Sequence, residues 1–155
     1  MPAPWSIDIT VSITTHPTTG RHSWSYTSEP PVVEPNGSFV VPPDVGTVTI
    51  NYQLDAASAE NYQLIMINLD VRVCATRQID SIVMNADGSI TVTDANVTGY
   101  TDQNPFSLRL LARDINCPDV LASGFSSPDP QVTNDPAIKC PTPAAHPLAA
   151  RKSAA

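Results

Sequence analysis

Charge is scarce in this chain: only 15 % of its 155 residues are Asp, Glu, Lys or Arg, against about 25 % in ordinary soluble domains. Surface polarity must then come largely from Ser, Thr, Asn and Gln. Positive charge is the scarcer sign, with eight Lys and Arg against fifteen Asp and Glu and a formal charge of -7. Such a balance repels a phosphate backbone and an anionic lipid surface, so neither nucleic acid nor membrane is an expected partner. The basic residues are also dispersed, with Arg72, Arg77, Arg109 and Arg113 in separate strand regions and Arg151-Lys152 near the end.

Long apolar runs are missing as well, and no stretch approaches the length of a membrane span. Met1 to Trp5 holds neither a basic segment nor the start of an apolar run, so no secretory signal is expected there. The three cysteines, Cys74, Cys117 and Cys140, form an odd set without CxxC spacing. That set suits a reducing compartment better than a disulfide framework, and a cytoplasmic location is expected. A Cys74–Cys117 bridge would instead require export by another route. The sequons at Asn36 and Asn96 carry meaning only in that case.

No catalytic constellation stands out. There is no GxSxG context and no EF-hand loop, and Glu29, Glu34 and Glu60 are the only glutamates. Clusters such as Asp94, Asn96, Asp102 and Asn104, or Asp114, Asn116 and Asp119, have the oxygen chemistry of a calcium site. The same residues are ordinary turn formers, which is the preferred reading. No catalytic residue, metal ligand or cofactor is therefore assigned.

What is abundant is proline, 16 residues in all, set between short alternating runs. Proline cannot donate to a β-ladder and fits poorly inside helices or central strands, so here it marks where strands stop. Trp5 to about Thr14 places Trp5, Ile7, Ile9, Val11 and Ile13 on one face, as a strand with a core side. His16 to Gly20 has turn chemistry, and the following run puts His22, Trp24 and Tyr26 on one side of a second strand. Five prolines between Glu29 and Pro43 permit only short, edge-like extended pieces. Val48 to Leu54 alternates cleanly, and Asp55 to Asn61 reads as a capped turn too short for an independent helix.

Tyr62 to Cys74 is apolar on both faces in its first half, which predicts a strand near the middle of a sheet. Asp87-Gly88 between Ile82-Val83-Met84 and Ile90-Thr91-Val92 specifies a tight hairpin. Phe106 to Arg113 is the last strong strand, and a short one could include Val132. The segment from 139 to 155 is rich in Pro and Ala and reads as a disordered tail behind a domain covering 1–138.

Seven or eight short strands with regular turn signals predict an all-β fold, a two-sheet antiparallel sandwich of immunoglobulin-like or related topology. The Cys, Trp, Cys order of antibody domains is absent, since Trp24 precedes every cysteine. Ser127-Pro128-Asp129-Pro130, Asn134-Asp135-Pro136, Glu29-Pro30 and Glu34-Pro35 are the most idiosyncratic peptides of the chain. With its small all-β pattern, the chain resembles the bacterial DP-EP family. The resemblance implies the fold and brings no catalytic residue with it.

His22, Trp24 and Tyr26 are the candidate ligand-binding residues, because a shared strand face with aromatic and imidazole groups can stack on a sugar or a partner. The competing assignment is structural: a core-facing Trp and Tyr, and a His whose ring nitrogens find internal partners. The leading functional expectation is a non-enzymatic binding or structural module that acts by self-association or by capturing a protein or carbohydrate partner. The alternative is a small hydrolase or metal-dependent protein using His16 or His22 with Asp94, Asp102 or Asp114.

Overall fold

The computed structural model describes residues 3–42, 45–70, 79–95, 106–119, 122–128 and 131–133. The expected tail from 139 onward, Cys74, Cys140 and the Cys74–Cys117 pairing lie outside these residues. Among the described residues, ten strands form two facing sheets, with one helical turn between strands. The first sheet has the order β2-β1-β4-β7-β6, formed by β1 (Trp5–Thr15), β2 (His22–Glu29), β4 (Val48–Leu54), β6 (Ile79–Met84) and β7 (Ile90–Asp94). The second has the order β3-β10-β8-β5, formed by β3 (Phe39–Val40), β5 (Tyr62–Asp70), β8 (Phe106–Asp114) and β10 (Gln131–Thr133), with β9 (Gly124–Ser126) also pairing with β8.

Period-two patterning decides which residues meet between the sheets. Ile7, Ile9, Val11 and Ile13 of β1 point inward with Val48, Ile50 and Tyr52 of β4 and Ile90 and Val92 of β7. Leu64, Ile67, Leu108, Leu110 and Ala112 close the core from the other sheet, and all these side chains are buried. None of the described prolines lies inside a strand. The two strongest turn signals form as expected. Gly20 (φ 69°) closes the β1–β2 turn, where its N–H donates to the His16 carbonyl at 2.9 Å. Gly88 (φ 85°) closes the β6–β7 hairpin, with Asp87 accepting from the Ser89 N–H at 2.9 Å. Only a residue tolerant of positive φ fits those two points without strain.

Three sequence expectations change. The sandwich is rich in antiparallel pairs, yet β1 runs parallel to β4 and β3 parallel to β10. The β1–β4 contact follows from crossing between sheets, because the chain leaves β2 for β3 in the second sheet and re-enters the first beside β1. Strand β5, expected near a sheet centre, has β8 as its one neighbour among the described residues. A bulge between Leu64 and Met66 turns the apolar run, so that Met66 is 54 % exposed rather than sharing a second buried face. Asp94, read as a loop residue, ends β7 and is buried, while Asp114 does act in a turn, accepting from the Asn116 N–H at 2.8 Å. Asn96, Asp102 and Asn104 lie outside the described residues.

The helical turn α1 (Ala56–Ala59) solves a local problem. Strand β4 ends opposite Val11, so the backbone of Ile13 lacks a strand partner on that side. Ser58 fills the gap: its hydroxyl accepts from the Ile13 N–H at 2.8 Å and lies 3.3 Å from the Ile13 carbonyl as donor. Asp55 caps the turn by accepting from the Ser58 N–H at 2.7 Å and also accepts from the Ser12 hydroxyl. These bonds, that from Ser12 first, hold the Asp55 carboxyl below its ordinary pKa.

The core contains one polar weakness. Tyr52 is fully buried in β4, its hydroxyl has no hydrogen-bond partner among the described residues, and burial pushes its pKa well up. An unpartnered buried hydroxyl costs roughly 1–3 kcal/mol in lost hydration. Tyr52→Phe is therefore expected to leave stability unchanged or raise it by about 1 kcal/mol, as read from the midpoint of chemical denaturation. A clear loss of stability would mean that the hydroxyl is satisfied in solution.

Candidate interaction site

Strand pairing determines where the three candidate residues point. His22 lies opposite Thr15, Trp24 opposite Ile13 and Tyr26 opposite Val11, so all three share the inward face of β1. Tyr26 is a core residue, 5 % exposed, and desolvation lifts its phenol to about 12, an effect that nearby Ser127 only partly offsets. His22 and Trp24 are half-buried. The His22 ring stacks on Phe125 with centroids 3.7 Å apart and planes at 17°, and meets Tyr62 edge-on at 5.7 Å. Phe125 also contacts Trp24 at 5.6 Å and Tyr62 at 5.5 Å.

The four rings join β2, at the edge of one sheet, to β9 and β5 of the other. Thr15 completes the group: its hydroxyl bonds His22 Nδ1 at 2.9 Å and the Tyr62 hydroxyl. What the arrangement does chemically is clasp the two sheets, with the main ring face of His22 occupied by Phe125. Phe125 and Tyr62 were not singled out from the sequence. Phe125 sits among Gly and Ser without periodicity, and its place in the cluster comes from the pairing of β9 with β8, which sets it opposite Ala112.

The residues of the hydrolase alternative are not brought together among the described residues. His16 Nδ1 accepts from the Thr18 and Thr19 N–H groups at 3.2 Å, a turn-stabilising role. His22 is held by Thr15 and the rings, Asp94 is buried in β7, and Asp102 lies outside the described residues. No group of three or more His, Cys, Asp or Glu is placed to hold a metal ion among the described residues. The Cys117 thiol lies 3.4 Å from the Asp119 carbonyl as donor. No described helix is long and apolar enough to cross a membrane.

A run of three consecutive exposed apolar residues lies elsewhere, on β6. This strand ends the first sheet and pairs only with β7 among the described residues. Ile82 and Met84 lie opposite Val92 and Ile90, which are fully buried, yet Ile82 is 38 % and Met84 51 % exposed. The second sheet covers β7 but does not reach its neighbour. Val83, on the outer face, is also exposed. Edge strands are ordinarily guarded by Lys, Pro or a central bulge. Strand β6 has neither Lys nor Pro, and its one charged residue, Asp80, and its one bulge, between Ile79 and Ser81, both lie at its start, away from Ile82, Val83 and Met84. The opposite edge, β2, differs: its outward positions are Ser23, Ser25 and Thr27, all exposed and polar.

Comparison with curated proteins found no match. The family model of the DP-EP family matches residues 5–136, from the first residue of β1 to just beyond β10. The match thus spans every strand of both sheets, and the chain belongs to the DP-EP family.

Proposed function

We propose that this sandwich, of immunoglobulin-like or related kind, is a non-enzymatic structural module that works by pairing strand β6 with β6 of a second copy. The observation that carries the reading is the unguarded apolar edge formed by Ile82, Val83 and Met84. An exposed strand edge offers unpaired N–H and C=O groups, and exposed apolar side chains beside them add burial when a partner strand docks.

Self-pairing fits this edge without conflict. Antiparallel pairing about a two-fold axis at Ile82 keeps inward residues opposite inward residues and sets Ile82 against Ile82, Ser81 against Val83 and Asp80 against Met84. The two Asp80 carboxylates then lie about 13 Å apart along the ladder, beyond the ~8 Å screening length at physiological salt. Ile82 and Met84 of both copies form one apolar strip, and two five-stranded sheets become a single ten-stranded sheet. The acidic charge of -7 and the cysteine usage support a cytoplasmic protein without nucleic acid as partner.

Sedimentation velocity across micromolar to millimolar concentration tests the reading. The expected result is a monomer–dimer equilibrium that Ile82→Lys weakens by about tenfold or more, because like charges would then face each other at the axis. Ser25→Lys on the opposite edge should leave it unchanged. A wild-type chain that stays monomeric throughout, or a dimer indifferent to Ile82→Lys, would overturn it.

A further inference from the structure

Two adjoining clefts lie at the end of the sandwich where β4 stops and the β6–β7 hairpin turns. The larger, ≈ 410 Å³, is lined by Tyr62, Gln63, Leu54, Ile115, Gln53 and Asp87 among others. The smaller, ≈ 330 Å³, lies on the outer face of the first sheet and is lined by Asp8, Thr10, Asn51 and Ser89, again with Gln53 and Asp87. Gln53 and Asp87 therefore stand on the ridge that the two share.

The local register explains why a hollow forms here. On the outer face, Asp8 pairs with Asn51 and Thr10 with Gln53, so longer side chains surround the short Thr10 and Ser89. The longer groups are held in place. Asn51 Nδ2 donates to Asp8 Oδ1 at 2.7 Å, the Thr91 hydroxyl donates to Asn51 Oδ1 at 2.9 Å, and Asp87 Oδ1 accepts from Ser89 at both N–H and hydroxyl. The second oxygens of Asp8 and Asp87 and the whole Gln53 amide make no hydrogen bond to a described residue. In the larger cleft, Gln63 is braced by the Arg113 Nε–H at 2.9 Å, while the Tyr62 hydroxyl is tied to Thr15 and its ring is wedged edge-on against His22 and Phe125.

We propose that the joined clefts bind a neutral oligosaccharide. Each cleft has the volume of a small-ligand site, and their shared ridge suits a ligand of at least two linked rings. Among the described residues no Lys or Arg lines either cleft, the nearby Arg113 Nε–H being taken by Gln63, and the acidic charge of the chain repels anions, so a phosphate or carboxylate ligand is disfavoured. Carboxylates and primary amides are suited to adjacent hydroxyl groups, since a carboxylate accepts from two and an amide both donates and accepts. Leu54, Ala59, Ile115 and the fixed Tyr62 supply an apolar wall for the C–H face of a pyranose ring. None of these residues belongs to the β6 edge strand, so the proposal stands whether or not the chain dimerises.

The test is amide-resolved NMR titration of the full chain with cellotriose, maltotriose and xylotriose, and separately with a Lys-rich peptide. At least one saccharide is expected to shift the resonances of Gln53, Gln63, Asp87 and their neighbours, at low and high salt alike. Gln53→Ala, at an exposed position, should weaken that binding by about tenfold while preserving the dispersion of the spectrum. Absence of shifts with all three saccharides would overturn the proposal. So would saccharide shifts that Gln53→Ala leaves unaltered, or shifts confined to the peptide and abolished by salt, which would mark an acidic patch for cationic segments.

Discussion

Ile50→Ala is expected to destabilise the protein by about 3–4 kcal/mol, whereas Ile82→Ala should cost under about 1 kcal/mol in the monomer. Both remove the same atoms from the same residue type, and both positions face inward along their strands. Ile50 is wholly enclosed, between Ile7 on β1 and Val92 on β7 and beneath the second sheet. Its truncation leaves a cavity that β1, β4 and β7 cannot close without breaking register. Ile82 sits beside Val92 on the other flank but emerges past the cover of the second sheet. Denaturant titration of the two variants, held dilute enough to stay monomeric, measures the difference. Since a domain of this kind has a net stability of only about 5–15 kcal/mol, the Ile50 variant should unfold at a markedly lower midpoint. Equal costs would mean that β6 is covered in solution.

Ser58→Ala should cost about 2–3 kcal/mol, far more than an exposed serine would. The side chain contributes little apolar area, so the loss comes from the backbone of Ile13. That residue is 4 % exposed, and beyond the end of β4 its N–H and C=O are both served by the Ser58 hydroxyl. Removing the hydroxyl strands two buried groups together. Asp55 provides a second readout. Its folded pKa lies below its unfolded one, so it contributes stability above the ordinary carboxylate range, and that contribution is lost as pH falls through the depressed value. Ser58 supplies part of the depression, and the alanine variant should lose the Asp55 contribution at a higher pH during acid unfolding. Ser58→Thr, which restores a hydroxyl, should recover part of the stability. An alanine variant as stable as the parent would show that water replaces the serine.

Much of this architecture is legible because its signals are local. Alternation in Trp5–Thr15 and Val48–Leu54 identifies inward faces, Asp87-Gly88 between two β-branched runs supplies a turn that hairpins favour, and proline marks where pairing stops. The candidate site was less legible. His22, Trp24 and Tyr26 do share a face, as their spacing requires, but Tyr26 belongs to the core and the other two are packed by Phe125 and Tyr62. Phe125 lies in a three-residue strand among small polar residues, and no periodicity can develop over so short a length. The β6 edge was likewise hidden, since Ile82 and Met84 carry the same pattern as buried residues and differ only in what lies above them.

Sequence alone therefore determined that the chain is all-β, which residues of each strong strand point to the core, and where the turns fall. These properties follow from the two-residue repeat of the extended backbone and from the special dihedrals of Gly and Pro. Tertiary structure alone decided that β1 and β4 pair in parallel, that β5 and β6 end their sheets among the described residues, and that Gln53 and Asp87 come together on the ridge between two clefts. Ladder hydrogen bonds join backbone groups that every strand carries alike, so a strand's own residues do not name its partner. Which edge remains open is settled by how far the facing sheet extends, and that is a property of the whole fold.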